Sequence, residues 1–243
     1  MKKLVTDVME NATFVLGILA VIAVLFVAAY ILEILAQKKQ GVKEPLFSTR
    51  KTAMVGMFAA IAAVLMIFEF PTFWAPGFYK LDFSELPILI GAFAFGPVAG
   101  VLMEFIKIVL NLFMDGTSTA FIGELANFAV GCSFILPASV IYRFGKTKKS
   151  AVWACVVGTI VITVFGTAFN AIYLIPAYEK ALGLSIETII GAGMAVNPLV
   201  SEGDIWSFVV ACVAPLNLVK GVSVSLVTLL IYKRISPIIK NTR

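Results

Sequence analysis

Apolar residues occupy this chain in long runs that short polar or charged stretches separate. Runs of about 20 residues without a period-two alternation indicate helices that cross a bilayer, and not the strands of a membrane barrel. The sequence therefore predicts an all-α, polytopic membrane helical bundle of seven spans, the third of them short. Their predicted bounds are Thr13–Ala36, Thr52–Phe70, Leu86–Phe95, Val98–Met114, Ala120–Tyr142, Ala151–Pro176 and Pro215–Tyr232.

The segments between the spans divide the chain further. Gly96-Pro97 separates the third span from the fourth. The first span is too long for the apolar region of a signal peptide, so we expect a retained helix. We assign residues 1–50 to this N-terminal helix and a basic linker, and residues 51–243 to a membrane domain of six helices. The long connection at 177–214 is predicted to hold two short helices, Ile186–Met194 and Ile205–Val213.

Composition supports the membrane class and excludes several kinds of chemistry. Hydrophobic residues make up 60% of the chain, charged residues 14%, and the mean hydropathy is +1.01. The chain has no histidine, which removes histidine metal sites, Ser-His catalysis and histidine proton relays. Its three cysteines are far apart in apolar sequence, so neither a disulfide framework nor a metal site is indicated. No G-x-x-x-x-G-K-[ST] motif is present, and work against a gradient would need a partner or a coupled ion.

The basic residues predict the orientation of the spans. Most of the 19 lysines and arginines fall in three clusters that seven spans would bring to one side, and that side should be cytoplasmic. The N-terminus is then outside and the C-terminus inside. The net charge of +5 is thereby explained by topology and contact with anionic membrane lipid, and not by nucleic-acid binding. The clusters are Lys38, Lys39, Lys43, Arg50 and Lys51; Arg143, Lys146, Lys148 and Lys149; and Lys233, Arg234, Lys240 and Arg243.

Polar residues inside three spans are predicted to lie at one depth below the outer face. A charge near mid-span costs about 2.5–3.5 kcal/mol on the insertion scale, so it usually faces a protein cavity and has a partner. Amides both donate and accept hydrogen bonds and a lysine donates to carbonyls, so the set suits a flat, mostly apolar small molecule with a polar edge, captured from outside. Two alternatives stay open: amides that only join helices, and a lysine that snorkels to the headgroups. The set comprises Asn170, Glu124, Asn127, Asn217 and Lys220, with the outer loop Gly77–Pro87 at the same level.

Small residues four apart in the second span, Gly56/Ala60 and Ala59/Ala63, would let another helix approach closely. That helix could belong to a partner or to the chain itself. In the fourth span Glu104 and Lys107, three residues apart, could form an ion relay or an internal salt bridge.

Several segments together resemble one known family. They are Tyr79–Pro87, Gly96–Gly100, Gly123–Phe128, Asn170 before Tyr173–Pro176, and the pair Asn217 and Lys220. Over about residues 50–235 the chain resembles the substrate-binding (S) components of energy-coupling-factor (ECF) vitamin transporters, and within them the riboflavin-specific branch.

The resemblance implies a six-helix S-component core that binds riboflavin from outside, plus one extra N-terminal transmembrane helix. It implies no catalysis and no cofactor, riboflavin being the transported substrate. It also implies a transmembrane coupling subunit (T component) and two cytoplasmic ATPases as partners. In this comparison Asn170, Asn217 and Lys220 match positions that hold the isoalloxazine edge. Glu124, Asn127, Phe78 and Asp82 match pocket or lid positions, and Ala59 and Ala63 match a face that contacts the coupling subunit.

Other functions remain open at this stage. The same scaffold could carry another vitamin, or the chain could be an ion-coupled secondary transporter. An intramembrane enzyme is disfavoured, because the usual base is missing and the acidic residues form no recognisable catalytic pair.

Overall fold

The structure is a computed structural model that describes residues 12–41, 44–119 and 121–240. It is a helical bundle with a single small hairpin among these residues. Its helices are α1 (Ala12–Gln40), α2 (Thr49–Ile67), α3 (Glu85–Phe95), α4 (Pro97–Asp115), α5 (Ile122–Gly145), α6 (Lys148–Phe169), α7 (Ile175–Leu182), α8 (Ile186–Met194), α9 (Ile205–Phe208) and α10 (Ala214–Lys240). Two π-helical turns, Asn170–Leu174 and Val209–Val213, join α6 to α7 and α9 to α10.

Six continuous helical stretches in the described residues are long and apolar enough to cross a membrane. With the shorter α3 they confirm the predicted bundle of a six-helix core and one N-terminal helix. They are Leu19–Gln40, Thr49–Ile67, Pro97–Asp115, Ile122–Gly145, Lys148–Leu182 and Ile205–Tyr232.

Two predicted boundaries were wrong. The sixth span continues past Pro176 to Leu182, and the last begins at Ile205, well before Pro215. Each proline lies two residues after the end of a π turn. A proline removes one backbone donor and crowds the preceding turn, and a widened π turn at that point lets the helix continue.

The main core lies between α2, α3, α4, α5, α6 and α10. Fully buried aromatic and aliphatic side chains fill it, among them Ile88 and Phe93 of α3 and Phe134 of α5. The Phe93 ring stacks on Tyr142 at 4.4 Å between centroids, and the hydroxyls of Tyr142 and Tyr232 lie 2.9 Å apart. Helix α3 is thus enclosed by the rest of the bundle.

The short α3 determines where a ligand site can lie. Eleven residues span only about 16 Å at 1.5 Å per residue, roughly half of a ~30 Å hydrocarbon core. Residues 68–84 fill the space beyond its N-terminus, and within them Phe70–Pro71 pairs antiparallel with Lys80–Leu81. We call this segment the lid loop, and its side of the bundle the lid end.

Helix α1 is attached to the core at the opposite end, where α1 ends and α2 begins. The Glu33 Oε1 lies 3.0 Å from Arg143 Nη2 of α5, and both side chains are buried. Gln40 donates a hydrogen bond to the Arg143 carbonyl oxygen. Gly96 has φ +96°, and a Cβ there would clash with the Glu33 carboxylate, so glycine is required twice over. Helix α1 is therefore docked by a specific polar contact.

The predicted basic clusters fall on this end as far as the described residues reach. Arg143 and Lys146 lie beside Glu44, which follows α1. Lys43 and Arg243 lie outside the described residues, and the side chains of Lys233, Arg234 and Lys240 are not described.

Ala59 and Ala63, the predicted contact for a coupling subunit, face the interior of this chain. Both are buried inside the chain, 0% and 1% exposed, and Ala59 is part of the main core. The other small pair, Gly56 and Ala60, is exposed. Adjacent helical residues point about 100° apart, so spacing alone cannot tell which of the two pairs faces inward.

Candidate ligand-binding site

Lys220 of α10 is held by two carboxylates at the lid end. Its Nζ lies 2.8 Å from Asp82 Oδ2 in the lid loop and 2.8 Å from Glu85 Oε2 at the start of α3. The lysine side chain is only 10% exposed. Snorkelling to the headgroups is therefore excluded, and Lys220 points into the protein as the prediction required.

Asp82 is fixed as a carboxylate by these contacts. Its Oδ1 accepts a hydrogen bond from the Ser84 backbone N–H at 2.8 Å. Burial raises the pKa of Asp82, but the ammonium groups of Lys220 and Lys107 outweigh it and bring the pKa to about 2. The lid loop thus places an ionised carboxylate next to Lys220.

A second lysine extends this contact into the bundle. Lys107 Nζ of α4 lies 3.1 Å from Glu85 Oε1 and 2.6 Å from Glu104 Oε2. Glu104 and Lys107 thus form the internal salt bridge that was one of the two predicted alternatives. The order Glu104, Lys107, Glu85, Lys220, Asp82 alternates in charge, and we call these five residues the ion chain. It joins α4, α3 and α10 to the lid loop.

Asn170 and Asn217 approach each other across Gly166 of α6. The Asn170 Nδ2 donates to the Gly166 carbonyl oxygen at 2.7 Å. A Cβ on Gly166 would lie 2.5 Å from Asn217 Nδ2, so the glycine makes room for that amide. Asn217 is 4% exposed and makes no hydrogen bond with any described residue. An amide without a protein partner is free to donate to and accept from a ligand.

The lid loop contacts the amide side of the site through Tyr79. Its hydroxyl donates to Asn170 Oδ1 at 2.7 Å, and its ring centroid lies 6.0 Å from that of Phe208. The predicted aromatic Phe78 lies 5.0 Å from Tyr79 but is 56% exposed. Tyr79, and not Phe78, is the aromatic residue that the structure brings to the amides.

Glu124 and Asn127 of α5 form no described bond with these residues. Glu124 Oε2 accepts a hydrogen bond from Thr119 in the turn between α4 and α5, and both predicted residues are half-buried. Neither makes a hydrogen bond or ion pair with Asn170, Asn217 or Lys220 among the described contacts.

Three residues of the site were not among the predicted ones. Glu85 had a sequence signal, because it follows Asp82 by three residues at the start of an apolar helix. Tyr79 was only part of the loop. Asn197 had none: its buried amide donates to the carbonyl oxygens of Trp74 at 3.1 Å and Ala211 at 3.0 Å. It thereby ties the lid loop to the second π turn.

These features define the general class of protein to which the chain belongs. The chain is a multi-pass helical membrane protein with a polar site buried inside the bundle, formed by two helices and closed by a loop. Residues 50–232 match the family model of the ECF transporter, substrate-specific component. The chain therefore belongs to this family, whose members are transporter components and not enzymes, and the resemblance seen in the sequence is confirmed.

Individual relatives agree with the family. Over 192 residues the chain is 33% identical to the riboflavin transporter RibU of Staphylococcus aureus, covering 79% of this chain and 93% of that protein. It is 31% identical over 195 residues to the riboflavin transporter FmnP of Bacillus subtilis, covering 80% and 96%. A solved S component of a bacterial ECF transporter matches with a TM-score of 0.60 and 30% identity, covering 79% and 98%. The family match begins at residue 50, so α1 precedes it.

Proposed function

We propose that this chain is the riboflavin-binding subunit of an ECF-type transporter, which captures the vitamin at the lid end and delivers it across the membrane. The observation that carries the proposal is that the lid loop contacts both Asn170, in the π turn after α6, and Lys220 of α10, while Asn217 of α10 lies against Gly166 of α6. Riboflavin is proposed as the ligand because the relatives are riboflavin transporters. The polar groups of the site are suited to bind it.

The polar residues suit the pyrimidine edge of a flavin. That edge alternates carbonyl acceptors with an N–H donor, and an asparagine amide can serve both kinds of group. In the proposed complex Asn170 and Asn217 bond to this edge and Lys220 donates to a carbonyl. Tyr79 and Phe208 cover the ring, where aromatic pairing adds about 0.5–1.5 kcal/mol beyond burial.

Entry of the ligand requires the lid loop to open. Two contacts join the loop to the proposed site: Tyr79 to Asn170 at 2.7 Å and Asp82 to Lys220 at 2.8 Å. Both use a residue that the ligand would contact, so the ligand replaces them. Opening therefore exchanges loop contacts for ligand contacts, and does not leave buried polar groups unpaired.

Transport needs partners, since the sequence contains no ATP-binding motif. We propose a transmembrane coupling subunit and two cytoplasmic ATPases, with the N-terminus of this chain outside and its C-terminus in the cytoplasm. The exposed pair Gly56 and Ala60 of α2 is the proposed contact for the coupling subunit. A Cβ on Gly56 meets nothing within 4 Å, so that face is open to a close helix approach.

The test of this function is flavin binding by the purified chain. Protein expressed in the presence of riboflavin should carry a flavin absorbance spectrum through purification, and stripped protein should quench riboflavin fluorescence on mixing. Lys220→Ala should weaken binding about 10- to 100-fold, because a buried charged hydrogen bond is lost. Lys180→Ala, an exposed lysine of α7, is the matched control and should bind as the parent does. A parent that binds a different vitamin and no flavin would refute the ligand assignment.

A further inference from the structure

The ion chain contains more carboxylates than the lysine of the site needs. Lys220 contacts Asp82 and Glu85 at the same distance, 2.8 Å, although one carboxylate would balance its charge. Placing a charge in a bundle is costly, and a second carboxylate adds to that cost. Asp82 and Glu85 therefore differ in what they do for Lys220.

The two carboxylates belong to parts of the protein that differ in freedom to move. Asp82 lies in the lid loop, which must leave its place when a ligand enters. Glu85 is the first residue of α3 and is 1% exposed. Its Oε1 lies 3.1 Å from the Lys107 Nζ of α4. Lys107 is in turn held by Glu104 at 2.6 Å. Glu85 thus stays in place when the loop opens, whereas Asp82 moves away with it.

We propose that Glu85 is the positioning residue of the ligand site: it holds the Lys220 ammonium toward the ligand carbonyl in both the open and the closed state, while Asp82 is the releasable latch of the lid loop. This inference rests on the proposed riboflavin function. Lys107 and Glu104 serve Glu85, because they fix its carboxylate from the side opposite Lys220. Without Glu85, the lysine would lose its only partner at the moment when the ligand arrives.

Two variants separate these roles at equal charge. The ion chain has three carboxylates and two ammonium groups, so neutralising either Asp82 or Glu85 leaves two of each. In Glu85→Gln, Lys107 keeps Glu104 and Lys220 keeps Asp82; in Asp82→Asn, Lys107 keeps Glu104 and Lys220 keeps Glu85. Neither variant leaves a buried ammonium without a carboxylate, and we expect both to fold.

The experiment measures riboflavin binding to detergent-purified protein by stopped-flow fluorescence and records the absorption spectrum of the bound flavin. Asp82→Asn should raise the association rate, about 10-fold or more because a charged hydrogen bond no longer holds the lid loop closed, and leave the bound spectrum unchanged. Glu85→Gln should weaken equilibrium affinity about 10- to 100-fold. It should also shift the bound spectrum toward that of Lys220→Ala, because the ammonium no longer polarises the flavin carbonyl. Glu85→Asp should restore part of the shift, and Glu187→Gln, an exposed carboxylate of α8, should change nothing.

The outcomes distinguish this inference from the function on which it rests. If the parent binds riboflavin and Lys220→Ala does not, but Glu85→Gln keeps the parent spectrum and affinity, Glu85 is no positioning residue and the function stands. Equal spectral shifts in Asp82→Asn and Glu85→Gln would also overturn the division of roles. A parent without any flavin binding would overturn both proposals. The thermal unfolding of each variant is measured together with its binding. A Glu85→Gln protein that does not fold would contradict the expectation that one carboxylate for each lysine is enough for folding.

Discussion

Tyr79 donates its hydroxyl hydrogen bond to Asn170 at 2.7 Å, and this contact fastens the lid loop to the π turn after α6. Because Asn170 is a proposed ligand contact, the bond must break before riboflavin can bind. Tyr79→Phe removes only the hydroxyl and keeps the ring on Phe208. We expect riboflavin to associate about 2- to 10-fold faster, from the loss of a ~0.5–1.5 kcal/mol bond that holds the loop closed. Stopped-flow fluorescence measures this rate.

The control for this prediction is Tyr173→Phe in the same π turn, whose hydroxyl makes no hydrogen bond with a described residue. It should leave the rate unchanged. A Tyr79→Phe rate equal to that of the parent would mean that the loop is not held closed by Tyr79.

Gly166 makes room for the Asn217 amide, which predicts an effect of one added methyl group. In Gly166→Ala the new Cβ would lie 2.5 Å from Asn217 Nδ2, so the amide must move although its chemistry is intact. We expect riboflavin affinity to fall about 5- to 100-fold, the range for a lost buried hydrogen bond. Equilibrium titration of stripped protein measures it.

Gly191→Ala in α8 is the matched substitution, because its Cβ would meet nothing within 4 Å. It should keep parent affinity and gain slightly in stability from the better helix propensity of alanine. Parent-like affinity in Gly166→Ala would argue that Asn217 makes no contact with the ligand.

Helix α2 predicts opposite behaviour for two neighbouring alanines. Ala59→Leu adds volume inside the packed core and should destabilise the protein by about 1–3 kcal/mol, seen as a lower melting temperature in detergent. Ala60→Leu, on the exposed face, should leave the melting temperature and riboflavin binding unchanged.

In cells that contain the coupling proteins, however, Ala60→Leu should lower riboflavin uptake, because the added side chain keeps the partner helix away. Full uptake with Ala60→Leu would remove the proposed coupling face from this part of α2.

The buried contact between Glu33 and Arg143 predicts that α1 contributes to stability and not to binding. Glu33→Gln removes one of the two carboxylates that contact Arg143 and leaves Glu44 in place. We therefore expect the free energy of unfolding to fall by about 1–3 kcal/mol. Thermal unfolding in detergent measures this loss. Riboflavin affinity should stay at the parent value, since the contact lies at the end of the bundle opposite the lid loop; a clear change in affinity would contradict that separation.

Asp82 predicts a pH dependence with a definite sign. Its pKa in the folded protein is about 2, below the ordinary 3.8, so its contribution to stability is fully present above about pH 4. That contribution, of order 2 kcal/mol, is lost as the pH falls from about 4 to 2. The stability difference between the parent and Asp82→Asn should therefore shrink over this window. A constant difference down to pH 2 would show that Asp82 gains no stability from its charge.

Much of the fold followed from the sequence because the bilayer imposes it. A backbone in hydrocarbon must satisfy its own hydrogen bonds, so long apolar runs such as Thr52–Phe70 can only be helices. The Asn217 and Lys220 pair was recognisable for a related reason, since polar groups inside a span are too costly to be incidental. The break between α3 and α4 at Gly96-Pro97 was also predictable, because glycine and proline often mark the end of a helix.

The tertiary structure decided which side chains meet. Spacing gave Asn217 and Lys220 one face of a helix, but only packing brought Glu85 and Asp82 to Lys220 and Tyr79 to Asn170. The same holds for the inward turn of Ala59 in place of Ala60, because a rotation of α2 by one residue would exchange them. Such relations depend on how separate helices rotate and slide against each other, and the energy of those choices is distributed over contacts between residues far apart in the chain.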